Sequence, residues 1–339
     1  MKISFLVTYY NQREYVRQSL DSILRIEKPN EWEILIGDDG STDGTLEIVR
    51  DYINKYPNNV FLYIMQRKKD VKYDSVKRAS ANRINLLEHV TGDCFCMLDG
   101  DDFYCDISFV KDAINFFSKH PDASVIGFGY KYYQNGKYSV DHTLPFGLQG
   151  HVDKKTYLKQ FYLHAGACVY RLCYGKDRIE YIKTIGYFDD NDIVINSLNY
   201  GEMYSIPKAI YAYRQTGQSI YTSMKKIEQS VLNVQGMDVD FQLIDKSFHS
   251  DLFYRNAYSI ITLYLYRNKI KELLPKEKIN LYLQSTQMWT TSVCGAFLTN
   301  NINGLLRKKT IRLMLRKMNL SIRIYVRRVL GCRYEKTDI

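Results

Sequence analysis

Between residues 2 and 98, short apolar runs of β-forming residues alternate with amphipathic helical stretches, and this alternation restricts the fold more than any other feature. Residues 2–9 (KISFLVTY) read as a buried strand. Residues 13–25 carry Tyr15, Val16, Leu20, Ile23 and Leu24 at helical spacing. Further strands are expected at 32–36, 60–65 and 94–98, with helices at 45–56 and 75–89 between them. Repeats of about 30 residues suit crossovers between parallel strands. The expected class is α/β, a mostly parallel sheet flanked by helices.

The pattern loosens after residue 120. Residues 123–133 and 137–140 flank Asn135-Gly136 and read as a hairpin, because Asn-Gly suits a tight turn with positive φ. A helix is expected over 192–200, stopped by Gly201, followed by strand-like segments at 203–206 and 209–213. From about Thr222 onward the pattern is helical. These changes divide the chain into an α/β region over 1–220 and a helical C-terminal region over 221–339.

The charge is uneven. The 339 residues hold 47 Lys and Arg against 37 Asp and Glu, but eleven of the basic residues fall between Lys278 and Arg333, where no acid occurs. Without them the chain is close to neutral, with 36 basic residues against 37 acidic ones. Over 305–333, Leu313, Leu315, Leu320, Ile322, Ile324, Val326 and Val329 are interspersed with Arg and Lys. Such a basic amphipathic segment suits an anionic membrane surface, at about 1 kcal/mol per basic residue near it. A solvated helix face is the plainer alternative. Nucleic acid is not expected as a partner, since no aromatic stacking platform or RNA-module motif accompanies the charge.

No apolar run reaches the roughly 18–20 residues of a membrane-spanning helix. The opening run over 3–7 is too short for a secretory signal core. Seven Cys at no metal-site spacing suggest free thiols in a reducing compartment, with Cys94 and Cys96 on one face of a strand. The expected location is cytoplasmic, peripheral at the inner face of the membrane.

Two acidic clusters follow expected strands: Gly37-Asp38-Asp39-Gly40-Ser41-Thr42-Asp43-Gly44, and Asp99-Gly100-Asp101-Asp102. In an open α/β sheet the carboxyl ends of the strands line the ligand crevice, so both clusters should face one cleft. Three carboxylates in four residues repel one another unless a cation or hydrogen-bond donors compensate. Oxygen ligation of this kind suits Mg²⁺ or Mn²⁺ with substrate phosphates. Turn formation is the bland reading for any single Asp-Gly. The first cluster fails as a calcium loop, because Arg50 stands where the final Glu belongs. No glycine precedes Gly37, so the glycine-rich dinucleotide cradle is absent, and no phosphate loop ends in Gly-Lys-Ser/Thr.

Val7-Thr8-Tyr9-Tyr10-Asn11, Asp38-Asp39-Gly40-Ser41-Thr42-Asp43, Arg78 with Asn82, and Asp99-Gly100-Asp101-Asp102 together resemble the family-two glycosyltransferases of the GT-A (Rossmann-like) fold. Order and spacing agree over residues 2 to about 104, with a looser match to about 220. The resemblance implies transfer, with inversion at the anomeric carbon, from a nucleotide-diphosphate sugar to a hydroxyl of a glycan or lipid-linked glycan. A UDP-linked donor is expected.

Thr8 and Asp39, with neighbouring Asp38, match the positions that hold the base, and Arg78 a basic residue on the donor side. Asp99, Asp101 and Asp102 cover the acidic motif. Asp99 and Asp101 are expected at the nucleotide, and Asp101 and Asp102 at a Mn²⁺ or Mg²⁺ ion, although the division of ribose and metal among the three stays open. The basic stretch Arg67-Lys68-Lys69, with Lys72 and Lys77, could assist the diphosphate or simply be solvated.

An inverting transfer needs a base for the acceptor's proton. The segment Gly186-Tyr187-Phe188-Asp189-Asp190-Asn191-Asp192-Ile193 resembles the family's base region. Asp192 aligns best and Asp190 second, and either could instead cap the helix. The segment 211–219 resembles the family's Tyr-Arg-x-His-Gly-like ending, with Thr216 in place of His and Arg214 as a substitute for its contacts. His164 falls on an acceptor-side strand, where a satisfied structural histidine is the plainer reading.

Two rival classes remain. A nucleotidyltransferase should carry a Gly-rich, Arg-containing loop after its first strand, which Tyr9-Tyr10-Asn11-Gln12 is not. A non-catalytic nucleotide- or membrane-binding protein would tolerate loss of the Asp192 carboxylate.

Overall fold

The computed structural model describes residues 1–67, 75–144, 148–160, 163–216 and 224–266. The basic tail over 305–333, and Lys68, Lys69 and Lys72 of the basic stretch, lie outside the described residues. Two compact units divide the chain, 1–219 with 239–246 and 220–238 with 247–339.

The first unit is built on one sheet. Its strands are β1 (Ile3–Tyr9), β2 (Trp32–Asp38), β3 (Val60–Ile64), β4 (Cys94–Asp99), β5 (Phe103–Tyr104), β6 (Ala123–Gln134), β7 (Lys137–Tyr138), β8 (Gly150–Val152), β9 (Cys168–Arg171) and β10 (Glu202–Arg214). The order is β3-β2-β1-β4-β9-β6-β10-β5, with β7 on β6 and β8 on β10. Strands β3, β2, β1 and β4 are mutually parallel, β9 enters antiparallel between β4 and β6, and β10 lies parallel to β6. Helices α1 (Val16–Leu24), α2 (Thr45–Lys55), α3 (Ser75–Leu87), α4 (Phe109–Lys119), α5 (Lys154–Gln160), α6 (Lys176–Ile185) and α7 (Asp190–Ser197) connect them.

The continuous apolar runs of β1 and β4 are buried throughout their middles, as a parallel sheet covered on both faces requires. Ile3, Phe5 and Val7 pack with Val16, Leu20 and Ile23 of α1 in one core cluster, joined by Cys94 and Cys96. Both thiols are free, and burial pushes the Cys94 thiol up to about 12. At the opening ends of the strands, buried Glu33 accepts from Ser4 Oγ (2.6 Å), Lys2 Nζ (2.8 Å) and the Thr91 N–H (2.9 Å). These bonds pin the starts of β1, β2 and the approach to β4, leaving the opposite ends to the loops that carry chemistry.

Three local features differ from expectation or sharpen it. The Asn135-Gly136 turn has φ of 50° and 78°, the left-handed pair that Asn-Gly favours. The two segments expected at 203–206 and 209–213 form one strand, β10, whose register breaks between Ser205 and Ala209 around Pro207, which has no N–H to give a ladder. Helix α7 starts at Asp190 rather than Asp192, because Asp189 and Asp192 form a capping box that fixes the first turn earlier.

In the second unit the described residues include helix His249–Tyr266 and most of helix Lys226–Leu243, whose last residues belong to the first unit. Asn233 Nδ2 donates to Ser259 Oγ at 3.1 Å between these helices. No helix among the described residues is long and apolar enough to cross a membrane.

Gly37 in β2 marks where α3 meets the sheet. Asn82 Nδ2 donates to the Gly37 carbonyl at 2.9 Å, and a Cβ there would lie 2.2 Å from Asn82 Oδ1 and 3.1 Å from Leu86 Cγ. Gly37→Ala should lower the unfolding free energy by about 1–3 kcal/mol, seen as an earlier denaturation midpoint with an unchanged slope.

Candidate active site

Strands β1, β2 and β4 end side by side, with Thr8 opposite both Gly37 and Asp99. Their loops are therefore neighbours, and side-chain bonds join them. The Asn11 N–H donates to Ser41 Oγ (2.9 Å), the Thr42 N–H to Asn11 Oδ1 (2.8 Å), and the Arg13 N–H to Asp43 Oδ2 (3.0 Å). Asn11 takes a left-handed φ of 50°, which Asn tolerates better than most residues. Asp38 is wholly buried and accepts from the Ser41 N–H (2.7 Å) and Ser41 Oγ (2.6 Å), so its carboxylate shapes the loop from within.

Asp39 stands beside two arginines. Its Oδ1 pairs with Arg78, its Oδ2 lies 3.2 Å from Arg67 Nη2, and its carbonyl accepts from Arg67 Nε at 2.6 Å. The Arg67 guanidinium also covers the Tyr10 ring at 3.9 Å. The structure thus brings Thr8, Asp39, Arg67 and Arg78 to one rim of the cleft.

The second acidic loop splits its three carboxylates among three environments. Asp99, a third exposed, lies 3.4 Å from Thr8 Oγ1 and 3.1 Å from Arg83 Nη2. Asp101 is pushed up to about 6, by burial first and then by the negative charge of Asp99. Asp102, expected at the metal, is 1% exposed and turned inward. Its Oδ2 accepts from the Tyr211 hydroxyl (2.7 Å) and its Oδ1 from the Arg214 N–H (2.7 Å). Burial, then Asp101 and Asp99, hold its carboxyl well above the usual range. Gly100 is obligatory here, since a Cβ would lie 2.2 Å from the Tyr9 ring.

Arg214 clamps the loop instead of facing the cleft. Its Nε donates to the Asp101 carbonyl (2.6 Å) and its Nη2 to Gln18 Oε1 (2.6 Å), while Tyr15, Phe103 and Tyr133 surround the guanidinium. His164 is buried among Tyr130, Tyr211 and Tyr213, accepts from the Gly166 N–H at Nδ1 (3.2 Å), and is held down to about 4 by burial. It is a neutral residue of the wall.

Arg83 of α3, buried to 9% exposure, joins the acidic loop to α7. Its Nη2 lies 3.1 Å from Asp99 and 2.9 Å from Asp190, and its Nη1 is 3.0 Å from Asp189. Burial works against the charged guanidinium, but Asp190, Asp99 and Asp189 hold its pKa well above the ordinary value. Asp190 is about one-fifth exposed. Burial raises it to about 7 against the pull of Arg83, with Asp189 and Asp99 adding to the rise. Asp192, 2% exposed, accepts from the Asp189 N–H at 2.6 Å and contacts Asp240. Its carboxyl is pushed well above the usual range by burial and by Asp240.

The family model for Glycosyl transferase family 2 matches residues 4–174, half of the chain. The chain belongs to glycosyltransferase family 2. EpsE of Bacillus subtilis (strain 168) is 34% identical over 131 residues, covering 38% of this glycosyltransferase and 42% of EpsE. TarS of Staphylococcus aureus (strain Mu50), a poly(ribitol-phosphate) beta-N-acetylglucosaminyltransferase, is 32% identical over 121 residues, 35% of this chain and 19% of TarS. The aligned stretches thus span less than half of these relatives.

The crystal structure of TarS 1–349 with UDP-GlcNAc aligns over 92% of this chain and 84% of that one, with a TM-score of 0.60 and 16% identity. A mannosyltransferase from Pyrobaculum calidifontis with GDP-Man and Mn²⁺ aligns over 98% and 88%, with a TM-score of 0.51 and 13% identity. These likenesses show the GT-A fold. Family membership favours sugar transfer over the nucleotidyltransferase and non-catalytic readings.

Sequence reasoning passed over Arg83 and Asp240. Arg83 follows Asn82, but nothing in the spacing along α3 says which arginine of that helix turns to the acids. No group of three or more His, Cys, Asp or Glu side chains among the described residues is arranged to hold a metal alone. The hard oxygens of Asp101 and Asp99 fit Mg²⁺ or Mn²⁺ if ligand oxygens complete the shell, and a cation would offset the charge of Asp99, which adds to burial in raising Asp101.

The two neighbouring acids should separate on mutation. Asp102→Ala strands the buried Tyr211 hydroxyl and Arg214 N–H, at about 1–3 kcal/mol for each unpaired group, and should lower the melting temperature. Asp101→Ala should leave the melting temperature unchanged or slightly higher while weakening binding of Mn²⁺.

Proposed function

We propose that this glycosyltransferase moves a sugar from a UDP-linked donor to a hydroxyl of a glycan or lipid-linked glycan, inverting the anomeric carbon, with Asp190 as the general base. The observation that carries the reading is the setting of Asp190. It is part-exposed, held 2.9 Å from Arg83 beside the donor-side Asp99, and raised to about 7. A base works best when its pKa lies near the operating pH. Asp192, the alternative, is buried in the capping box and faces Asp240.

In the transfer, the carboxylate of Asp190 takes the acceptor's hydroxyl proton as that oxygen bonds to the anomeric carbon. The bond from that carbon to the diphosphate oxygen breaks, and its electron pair leaves with the diphosphate. Arg83 keeps Asp190 on the cleft side of α7 and stays cationic throughout. Thr8 and Asp39, with Asp38 shaping their loop, receive the base and ribose side of the donor, and Arg67 and Arg78 border it. Asp101 and Asp99 would hold Mg²⁺ or Mn²⁺, and such an ion when bound neutralises charge on the diphosphate.

The UDP-GlcNAc complex of TarS supports a UDP-linked donor, and the Mn²⁺ complex of the Pyrobaculum enzyme supports a divalent ion. The basic amphipathic run over 305–333 supports action at an anionic membrane surface, which suits a lipid-linked acceptor.

Release of UDP from UDP-GlcNAc tests the base. Asp190→Asn should lower kcat by about 10²–10⁴-fold with UDP binding unchanged. Only the ionised carboxylate accepts a proton, so the wild-type rate should rise as pH climbs through about 7 and fall away below it. Full activity in Asp190→Asn, or a rate flat across that range, would contradict the assignment.

A further inference from the structure

The first turn of α7 is gripped from two sides. Within the helix, the capping box binds Asp189 to Asp192, with the Asp189 N–H donating to Asp192 Oδ2 at 2.6 Å. Against the same turn lies Asp240, near the end of helix Lys226–Leu243 and in the same compact unit as α7. Asn191 Nδ2 donates to the two Asp240 oxygens at 3.4 and 3.3 Å, and Asp192 is hydrogen-bonded to the same carboxylate. Asp192 and Asp240 are each 2% exposed. Two carboxyl groups bonded to each other out of water need a proton between them. The Asp192 carboxyl is pushed well above the usual range by burial and by Asp240, as such a shared proton requires.

The segment carrying Asp240 is itself fixed. Arg178 Nη2 donates to the Leu243 carbonyl (2.6 Å) and its Nε to Asn196 Oδ1 (2.7 Å), tying α6, α7 and this helix end together. Tyr181 donates its hydroxyl to the Gln242 carbonyl at 3.2 Å, and Asn199 Nδ2 donates to the Leu243 carbonyl. Asp240 therefore meets α7 at a set depth. Asp190 stands between the residues so held: Asp189 on one side, Asn191 and Asp192 on the other. Its own side chain points to Arg83.

We propose that Asp240 is a positioning residue of the transfer reaction, holding the first turn of α7 at the rotation that keeps Asp190 on Arg83 beside Asp99. The proposal rests on the reading of Asp190 as the base. A capping box alone fixes where a helix starts, but one extra grip on the same turn fixes which way its residues face. Asn191 Nδ2 donates to Asp240 in that grip, and Asp192 and Asp240 share one further hydrogen bond.

The test is carboxyl ¹³C NMR of the full chain labelled at aspartate, with the Asp190 resonance identified by its disappearance in Asp190→Asn. The charged and titratable groups around Asp190 are Arg83 from α3, Asp99 from β4, Tyr170 from β9, Asp189 and Asp192 beside it, and Asp240 behind. Wild type should titrate near 7 at Asp190. Asp240→Asn keeps a hydrogen-bonding group of the same shape opposite Asn191 and Asp192 and should titrate alike. Asp240→Leu removes the grip, and Asp190 should hydrate and fall by about one unit or more towards the ordinary carboxylate value.

An unchanged Asp190 in folded Asp240→Leu would overturn the proposal, as would an equal fall in Asp240→Asn. If Asp240→Leu does not fold, Asn191→Ala decides, with a fall supporting the grip and no change overturning it. A wild-type Asp190 that titrates in the ordinary carboxylate range would instead defeat the base reading, and this proposal with it.

Discussion

One buried guanidinium organises this active site. Arg83 lies within 3.1 Å of Asp99, Asp189 and Asp190, so the proposed donor side and the proposed base side share a single counter-ion. Without it, three carboxylates would crowd a half-buried cleft and their charges would drive the loops apart or force protons onto them. With it, Asp99 remains at the end of β4 while Asp190 is held at the start of α7. The fold supplies the rest. Strands β1, β2 and β4 end together, and α3 crosses their edge with Asn82 on the Gly37 carbonyl, so Arg83 one residue later is delivered to the gap between the loop and α7.

The acidic loop itself shows how one motif can divide its work. Asp102 accepts from Tyr211 and from the Arg214 backbone, which ties the loop to β10. Arg214 completes the tie by reaching back to the Asp101 carbonyl through a ring of aromatic side chains. The loop is thereby rigid on its inner side, and Asp101 and Asp99 are the carboxylates left beside the cleft. Rigid support of this kind is what a site needs to present charge without reorganising when the donor arrives.

Much of this was legible in the sequence because its signals are local. The apolar runs of β1, β2 and β4 and the periodic faces of α1 and α2 gave the parallel half of the sheet, and Asn135-Gly136 gave its hairpin. The two acidic loops announced the cleft. What stayed hidden depends on contacts far apart in the chain. Strand β9 is four residues long and is defined by the neighbours it slots between. The inward turn of Asp102 is decided by Tyr211 and Arg214, more than a hundred residues away. The contrast between Asp190 and Asp192 follows from which side of one helical turn meets Arg83 and which meets Asp240, and spacing within that segment carries no such information.

In the proposed mechanism the donor-side and base-side carboxylates are separate functions joined by Arg83. Calorimetric titration of UDP tests it most directly, with Mn²⁺ and with chelator, on the wild type, Asp101→Ala and Asp190→Asn. Binding should depend on the metal, be lost in Asp101→Ala and be kept in Asp190→Asn. Binding that ignores the chelator, or that vanishes equally in Asp190→Asn, would contradict it.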